Sequence, residues 1–182
     1  MGIGPQSMKT SRLITLSSHA CLLFIVLAMT GCGTSKYEHE LDTEEASIKL
    51  YNETTDGGYQ LISTAELKEL IDGDEEFLLV DAMPAEDSYN KQHIAGAVNF
   101  EFPKEVIDEW NDDTMGARQK EDFEALLGDD KNRRSVMYCG FVKCARSHNA
   151  AVFARELGYT NVYLHPGGLF AWQGAGYPLA KD

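Results

Sequence analysis

Residues 135–151 read Ser135-Val-Met-Tyr-Cys139-Gly-Phe-Val-Lys143-Cys144-Ala-Arg146-Ser-His148-Asn-Ala-Ala151, and the fold turns on how this stretch is read. Val136 to Tyr138 is a short apolar run, long enough for a buried strand and too short for a helix. Beyond it, Ala150, Phe153, Ala154 and Leu157 recur at helical spacing, with Gly158 as a stop signal. The loop between the two holds Cys139, Gly140, Lys143, Cys144 and Arg146. A loop at a helix N-terminus gathers unpaired backbone N–H groups and the positive end of the helix dipole, so it attracts anions and favours a thiolate. Cys139, at the strand's end, is therefore the candidate nucleophile, with a depressed pKa expected.

Working outward, Tyr59 to Ile62 alternates like a short strand, and Ser63-Thr-Ala-Glu66 is a capping box that starts a helix to about Ile71. Phe77 to Asp81 is a near-continuous apolar run ending in an acid, as a central parallel strand requires. Asp81 reads as a carboxylate that ties down neighbouring backbone N–H groups. Pro84 to Gln92 suits a short helix, and Ala97 to Phe100 a strand. Pro103 to Trp110 and Arg118 to Leu127 are two further helical patterns. Asn161 to Leu164 gives a fifth strand, and His165-Pro-Gly-Gly168 turns the chain into a last helical turn. Phe170 and Trp172 on that turn are expected to cap the core. Strands alternating with helices predict an α/β domain, its mostly parallel five-stranded sheet flanked by helices on both faces.

Three segments together resemble the rhodanese-like (sulfurtransferase) family. Leu78-Leu-Val-Asp-Ala82 is similar to its strand ending in Asp, and His93-Ile-Ala-Gly-Ala-Val-Asn99 to its "GHIPGAxN" segment. Tyr138-Cys139 through Arg146-Ser147 resembles its active-site loop, followed by Leu157 to Tyr163 and Pro166-Gly-Gly-Leu-Phe-Ala-Trp172. The resemblance spans roughly Gln60 to Pro178 in family order. It implies a cysteine, here Cys139, that accepts a sulfane sulfur as a persulfide and passes it to a nucleophile. The donor would be thiosulfate or a persulfide, the acceptor a thiol or cyanide, with no cofactor. It also implies that His93 is a structural turn former. Two departures stand out. The family loop usually reads Cys, four residues, Arg, whereas here Cys144 comes five after Cys139 and the arginine is Arg146. An arginine often follows the strand Asp by two; here Ala82 and Met83 follow Asp81.

The loop residues Gly140, Phe141, Val142, Lys143, Cys144, Ala145 and Arg146 are the candidate anion cradle, with Gly140 allowing close backbone approach. Ser147 is expected to cap the helix or hydrogen-bond the sulfur. Cys144 is a candidate resolving cysteine, able to form a disulfide with Cys139 or to attack a persulfide on it. Four other readings compete with sulfur transfer. One is thiol–disulfide redox through Cys139 and Cys144; a second is phosphatase- or arsenate-type anion chemistry. A third is metal binding through Cys139, Cys144 and His148, three ligands without an evident fourth; the fourth is a non-catalytic binding module.

The 182 residues suit one domain, and an apolar fraction of 43% is enough for a single core. A formal charge of −13 argues against nucleic acid or anionic lipid headgroups as partners through charge alone. At the N-terminus, Lys9 and Arg12 precede an apolar stretch from Leu13 to Met29, then Thr30-Gly31-Cys32-Gly33. This pattern is a secretory signal, and its end resembles a bacterial lipobox. The organisation expected is a lipoprotein signal peptide over 1–31, a lipidated Cys32 with a flexible tether over 32–57, and the domain over 58–182. That places the domain in the bacterial cell envelope, facing the periplasm or exterior. Gly33 in place of an inner-membrane retention Asp leans towards the outer membrane.

Overall fold

The computed structural model describes residues 1, 2, 4, 35–116 and 118–182. Apart from residues 1, 2 and 4, the segment expected to be a signal peptide lies outside the described residues, as does Cys32, the expected lipidation site. The chain divides into two units, Met1–His39 and Glu40–Asp182. In the first, Ser35 and Glu38 form a capping box: the Ser35 hydroxyl accepts from the Glu38 N–H at 3.2 Å and the Glu38 carboxylate from the Ser35 N–H at 2.7 Å. It opens helix α1, Lys36–Gly57. The irregular tether expected over this range is therefore, from residue 36 onward, helix. Its sequence looks aperiodic because no residue is fully buried. Ala46, Lys49, Leu50, Glu53, Thr54 and Gly57 nonetheless form a half-buried stripe at helical spacing, and Leu50 packs on the core. Among the described residues no helix is long and apolar enough to cross a membrane.

The second unit is built on β1 (Gln60–Leu61), β2 (Leu78–Asp81), β4 (Val98–Asn99), β5 (Ser135–Tyr138) and β6 (Val162–His165). They form one sheet in the order β1-β6-β5-β2-β4, with every pairing parallel. A separate antiparallel ribbon joins β3 (His93–Ile94) to β7 (Leu179–Ala180), a pairing with no counterpart in the sequence reading.

Alternation along the strands sends side chains to two apolar layers. Leu78, Val80, Met137, Val162 and Leu164 meet α4 (Lys120–Leu127) and α5 (Ala145–Glu156) through Phe123, Leu127, Ala150 and Phe153. Leu79, Val136 and Tyr138 meet α2 (Thr64–Asp72) and α6 (Gly168–Gly174) through Leu67, Leu70, Leu169 and Trp172. The central strands are thus buried on both sides, which is why they read as continuous apolar runs. Ser63 caps α2 as expected, its hydroxyl accepting from the Glu66 N–H at 3.2 Å while the Glu66 carboxylate accepts from the Ser63 N–H at 2.9 Å.

Three expectations give way. The segment 84–92 holds a π-helical turn, Ala85–Tyr89, rather than a short α-helix. Phe170 does not cap the core: it is 60% exposed, and Trp172 alone of the pair is buried. Pro103–Trp110 is not helical, and only α3 (Asp112–Met115) follows it. The cause is Asn149, whose amide donates to Pro103 O at 3.1 Å and Glu105 O at 2.8 Å and whose oxygen accepts from the Ile107 N–H at 3.3 Å. These backbone groups are satisfied across space rather than along a helix.

Asn149→Ala would leave all three without that partner. Loss of buried hydrogen bonds of this kind costs about 1–3 kcal/mol. The urea midpoint is expected to fall accordingly, with faster amide exchange confined to 103–110. An unchanged midpoint would mean that Asn149 does not hold the segment.

Candidate active site

Cys139 follows the last residue of β5, in the middle of the sheet, and only 1% of it is exposed. Its carbonyl accepts from the Leu169 N–H at 2.8 Å, and the Gly140 carbonyl accepts from the Phe170 N–H at 3.0 Å. The start of α6 is thereby laid directly on the loop. This needs a glycine at 168, where φ is +55° and an added Cβ would sit 2.3 Å from the Cys139 carbonyl oxygen. Gly140, by contrast, has room: a Cβ there would meet only the Met83 side chain, at 3.7 Å. The close backbone approach expected at Gly140 is made instead by Gly168. Pro166-Gly-Gly168 was the sequence signal for it.

The loop curls so that its two cysteines meet. The Cys144 N–H donates to Phe141 O at 3.0 Å, and Cys139 Sγ lies 3.6 Å from the Cys144 carbonyl oxygen and 3.1 Å from the Ser147 hydroxyl, which donates to it. Cys144 is the N-cap residue of α5. Both thiols are free.

The charge falls on the other sulfur from the one expected. Burial pushes the Cys139 thiol well above its usual range, and its proton points to Cys144; the Ser147 hydroxyl opposes this only in part. Cys144 is lowered to about 6 by that donated proton, by the Arg146 and Gly140 backbone N–H groups, and by the Arg146 guanidinium. The helix-end field of the sequence reading is present. It acts on Cys144, which is half-buried, rather than on the desolvated Cys139.

The expected anion cradle is only partly assembled around Cys139. The Gly140 and Arg146 amides serve the Cys144 sulfur. Arg146 turns its guanidinium to the Phe102 carbonyl and to Glu101, 3.6 Å away. Lys143 pairs with Glu45 of α1 at 3.1 Å, on the surface. Phe141 and Val142 are exposed, and the Phe141 ring stacks on Phe170 with centroids 5.6 Å apart, giving the loop an apolar rim. Ala145 is buried at the start of α5.

Asp81 and His93 make their contacts elsewhere. The buried Asp81 carboxylate accepts from the Met83 N–H at 2.8 Å, and Asn99 donates to the Asp81 and Met83 carbonyls at 3.0 and 2.7 Å. Burial raises the Asp81 carboxyl, against the opposing hydrogen bond from the Tyr138 hydroxyl. That hydroxyl also accepts from the Ile94 N–H at 3.0 Å. His93 stacks on Tyr89 at 4.0 Å and donates from Nδ1 to its carbonyl at 3.0 Å. His148 hydrogen-bonds the Tyr59 hydroxyl at 2.9 Å, and among the described residues no cluster of three metal-ligating side chains forms.

A family model of the rhodanese-like domain matches residues 63–175, so the chain belongs to the rhodanese-like domain family. Among solved structures it is similar to a protein of unknown function from Rhodopseudomonas palustris, described as a possible tyrosine phosphatase. The two are 20% identical with a TM-score of 0.52, over 74% of this chain and 93% of that one. It is also similar to a thiosulfate sulfurtransferase from Pseudomonas aeruginosa, at 21% identity and a TM-score of 0.50, over 73% of this chain and 22% of that one. A rhodanese-like domain from an Anabaena species matches at 23% identity and a TM-score of 0.49, over 67% of this chain and 79% of that one. These likenesses concern the fold. No curated protein matches the chain. Family membership supports sulfur transfer as the chemistry of the class.

The dithiol assignment has a direct readout. The iodoacetamide reactivity of Cys144, followed by peptide mass, is expected to rise with pH through about 6 and then level as the thiolate fills. In Cys139→Ala the midpoint should move up, because the donated proton is gone. A wild-type midpoint at the ordinary thiol value would contradict the assignment.

Proposed function

We propose that the chain is a sulfurtransferase that carries sulfane sulfur as a persulfide on Cys139. The observation that carries this reading is the position of Cys139: at the carboxyl end of the central parallel strand, against the N-terminus of α5, its sulfur held between the Ser147 hydroxyl and Cys144. Thiosulfate or a small persulfide is the donor. Cys139 Sγ bonds to the outer sulfur of thiosulfate, the donor's S–S bond breaks, and sulfite leaves with the electron pair. The proton of the Cys139 thiol passes to the Cys144 thiolate it already faces, so Cys144 serves as the base. Cyanide or a thiol then attacks the outer sulfur of the persulfide, and the Cys139 thiolate leaves. The loop amides, with Lys143 and Arg146 released from their carboxylate partners, are the groups available to an incoming anion.

The same reading keeps the envelope address. The lipobox-like Thr30-Gly-Cys32-Gly33 supports lipidation of Cys32, which would hold the domain at a membrane surface outside the cytoplasm. The donor and acceptor would then be small extracytoplasmic sulfur compounds, and the acidic surface disfavours nucleic acid.

Thiocyanate formation from thiosulfate and cyanide is expected to fall to background in Cys139→Ser. In Cys144→Ser it should persist at a lower rate, with its pH optimum moved up. Undiminished transfer in Cys139→Ser would overturn the assignment. For the anchor, a labelled fatty acid supplied to bacteria expressing the full chain should be incorporated in the wild type and absent from Cys32→Ser; equal labelling of the two would sink it.

A further inference from the structure

Cys139 is almost wholly buried, so an external nucleophile reaches the inner sulfur of a persulfide there only with difficulty. One nucleophile is already inside. The loop turn closed by Cys144 N–H and Phe141 O brings Cys144 against Cys139, whose sulfur lies 3.6 Å from the Cys144 carbonyl oxygen. Cys144 occupies the N-cap of a helix of 12 residues, where backbone N–H groups favour a sulfur anion. The two long cations of the loop are held by Glu101 and Glu45, so no cation is committed to protecting an anionic persulfide.

We infer that, resting on the persulfide reading above, Cys144 is a built-in acceptor that discharges the Cys139 persulfide as hydrosulfide and leaves a Cys139–Cys144 disulfide. The Cys144 thiolate forms a bond to Cys139 Sγ, the inner sulfur. The proton that Cys144 took up during loading passes to the outer sulfur as Cys144 attacks; the bond between Sγ and the outer sulfur breaks, and the outer sulfur departs as HS⁻ with the electron pair. The sulfane sulfur is reduced and the two cysteines are oxidised, so no outside oxidant enters the balance. Hydrosulfide is a weaker base than an alkyl thiolate, which makes it the better leaving group. Cys144, being half-buried rather than sealed, then presents the disulfide to solvent. A dithiol reductant reopens it by exchange, restoring both thiols. In the absence of cyanide or a competing thiol the protein is thus a sulfide-releasing enzyme driven by a dithiol. With such an acceptor present, attack on the outer sulfur competes.

The test uses the full chain, reduced and then freed of reductant, under anaerobic conditions. Wild type, Cys144→Ser and Cys139→Ser each receive a small excess of thiosulfate, in parallel with inorganic polysulfide. Loading is allowed to run to completion, so that the fate of the sulfur is read rather than its rate of uptake. Released sulfide and intact mass are then measured, with peptide mapping of any disulfide. The wild type is expected to release one equivalent of sulfide and to lose two hydrogens in mass, with Cys139 joined to Cys144. Cys144→Ser should gain one sulfur and release none. A wild-type protein that keeps the added sulfur, or that carries it on Cys144 as a persulfide, would overturn the proposal while leaving sulfur transfer intact. Sulfide released equally by Cys144→Ser would do the same. Failure of the folded wild type to react with either donor would overturn the sulfurtransferase reading itself, and the proposal with it.

Discussion

The Cys139 carbonyl and the backbone of Gly168 meet at a distance that leaves no room for a Cβ. That contact joins the end of the central strand to the start of α6, and it is locked by the Leu169 and Phe170 N–H groups on the Cys139 and Gly140 carbonyls. The rest of the site follows from it. Once the strand end is pinned there, the loop has to turn over α5, and the turn brings Cys144 to the helix N-cap facing Cys139. Burial of the strand on both faces then decides which sulfur holds the charge. The sulfur that continues the strand is desolvated, and the one that opens the helix is surrounded by N–H groups.

Much of this fold was legible in the sequence, for physical reasons that can be named. Val136–Tyr138 and Leu78–Val80 announce themselves because strands covered on both sides need apolar residues at consecutive positions. Ser63 and Glu66 announce α2 because a capping box is satisfied within four residues. What could not be read was settled by partners far along the chain. Pro103–Trp110 has a helix-like pattern, yet its polar backbone groups go to Asn149, more than forty residues away. Helix α1 carried its own local signal in Ser35 and Glu38, but its half-buried stripe is mixed in polarity and hid the period.

At the site the same division holds. That the loop between β5 and α5 would hold the chemistry-bearing residues was visible from the order strand, cysteine, helix. Which cysteine is ionised was not, because helix-end stabilisation and desolvation both act within a few residues and only geometry says which sulfur each reaches. Nor did the sequence reveal that Arg146 would prefer the Phe102 carbonyl and Glu101, or that Lys143 would reach a carboxylate on α1. The Lys143–Glu45 pair is exposed, and pairs of that kind contribute about 0–1 kcal/mol. Such a pair is easily exchanged for an incoming anion; the more enclosed Arg146 is less so.

The stacked rings of Phe141 and Phe170 belong to two segments already joined by backbone hydrogen bonds. Loop and helix start are thus tied together by two backbone hydrogen bonds and a ring contact. The entropy lost in ordering this corner is spent once, when the chain folds, and not again each time a ligand arrives. A preorganised corner of this kind selects by shape before chemistry begins, because it has little freedom to adjust to a poorly fitting visitor.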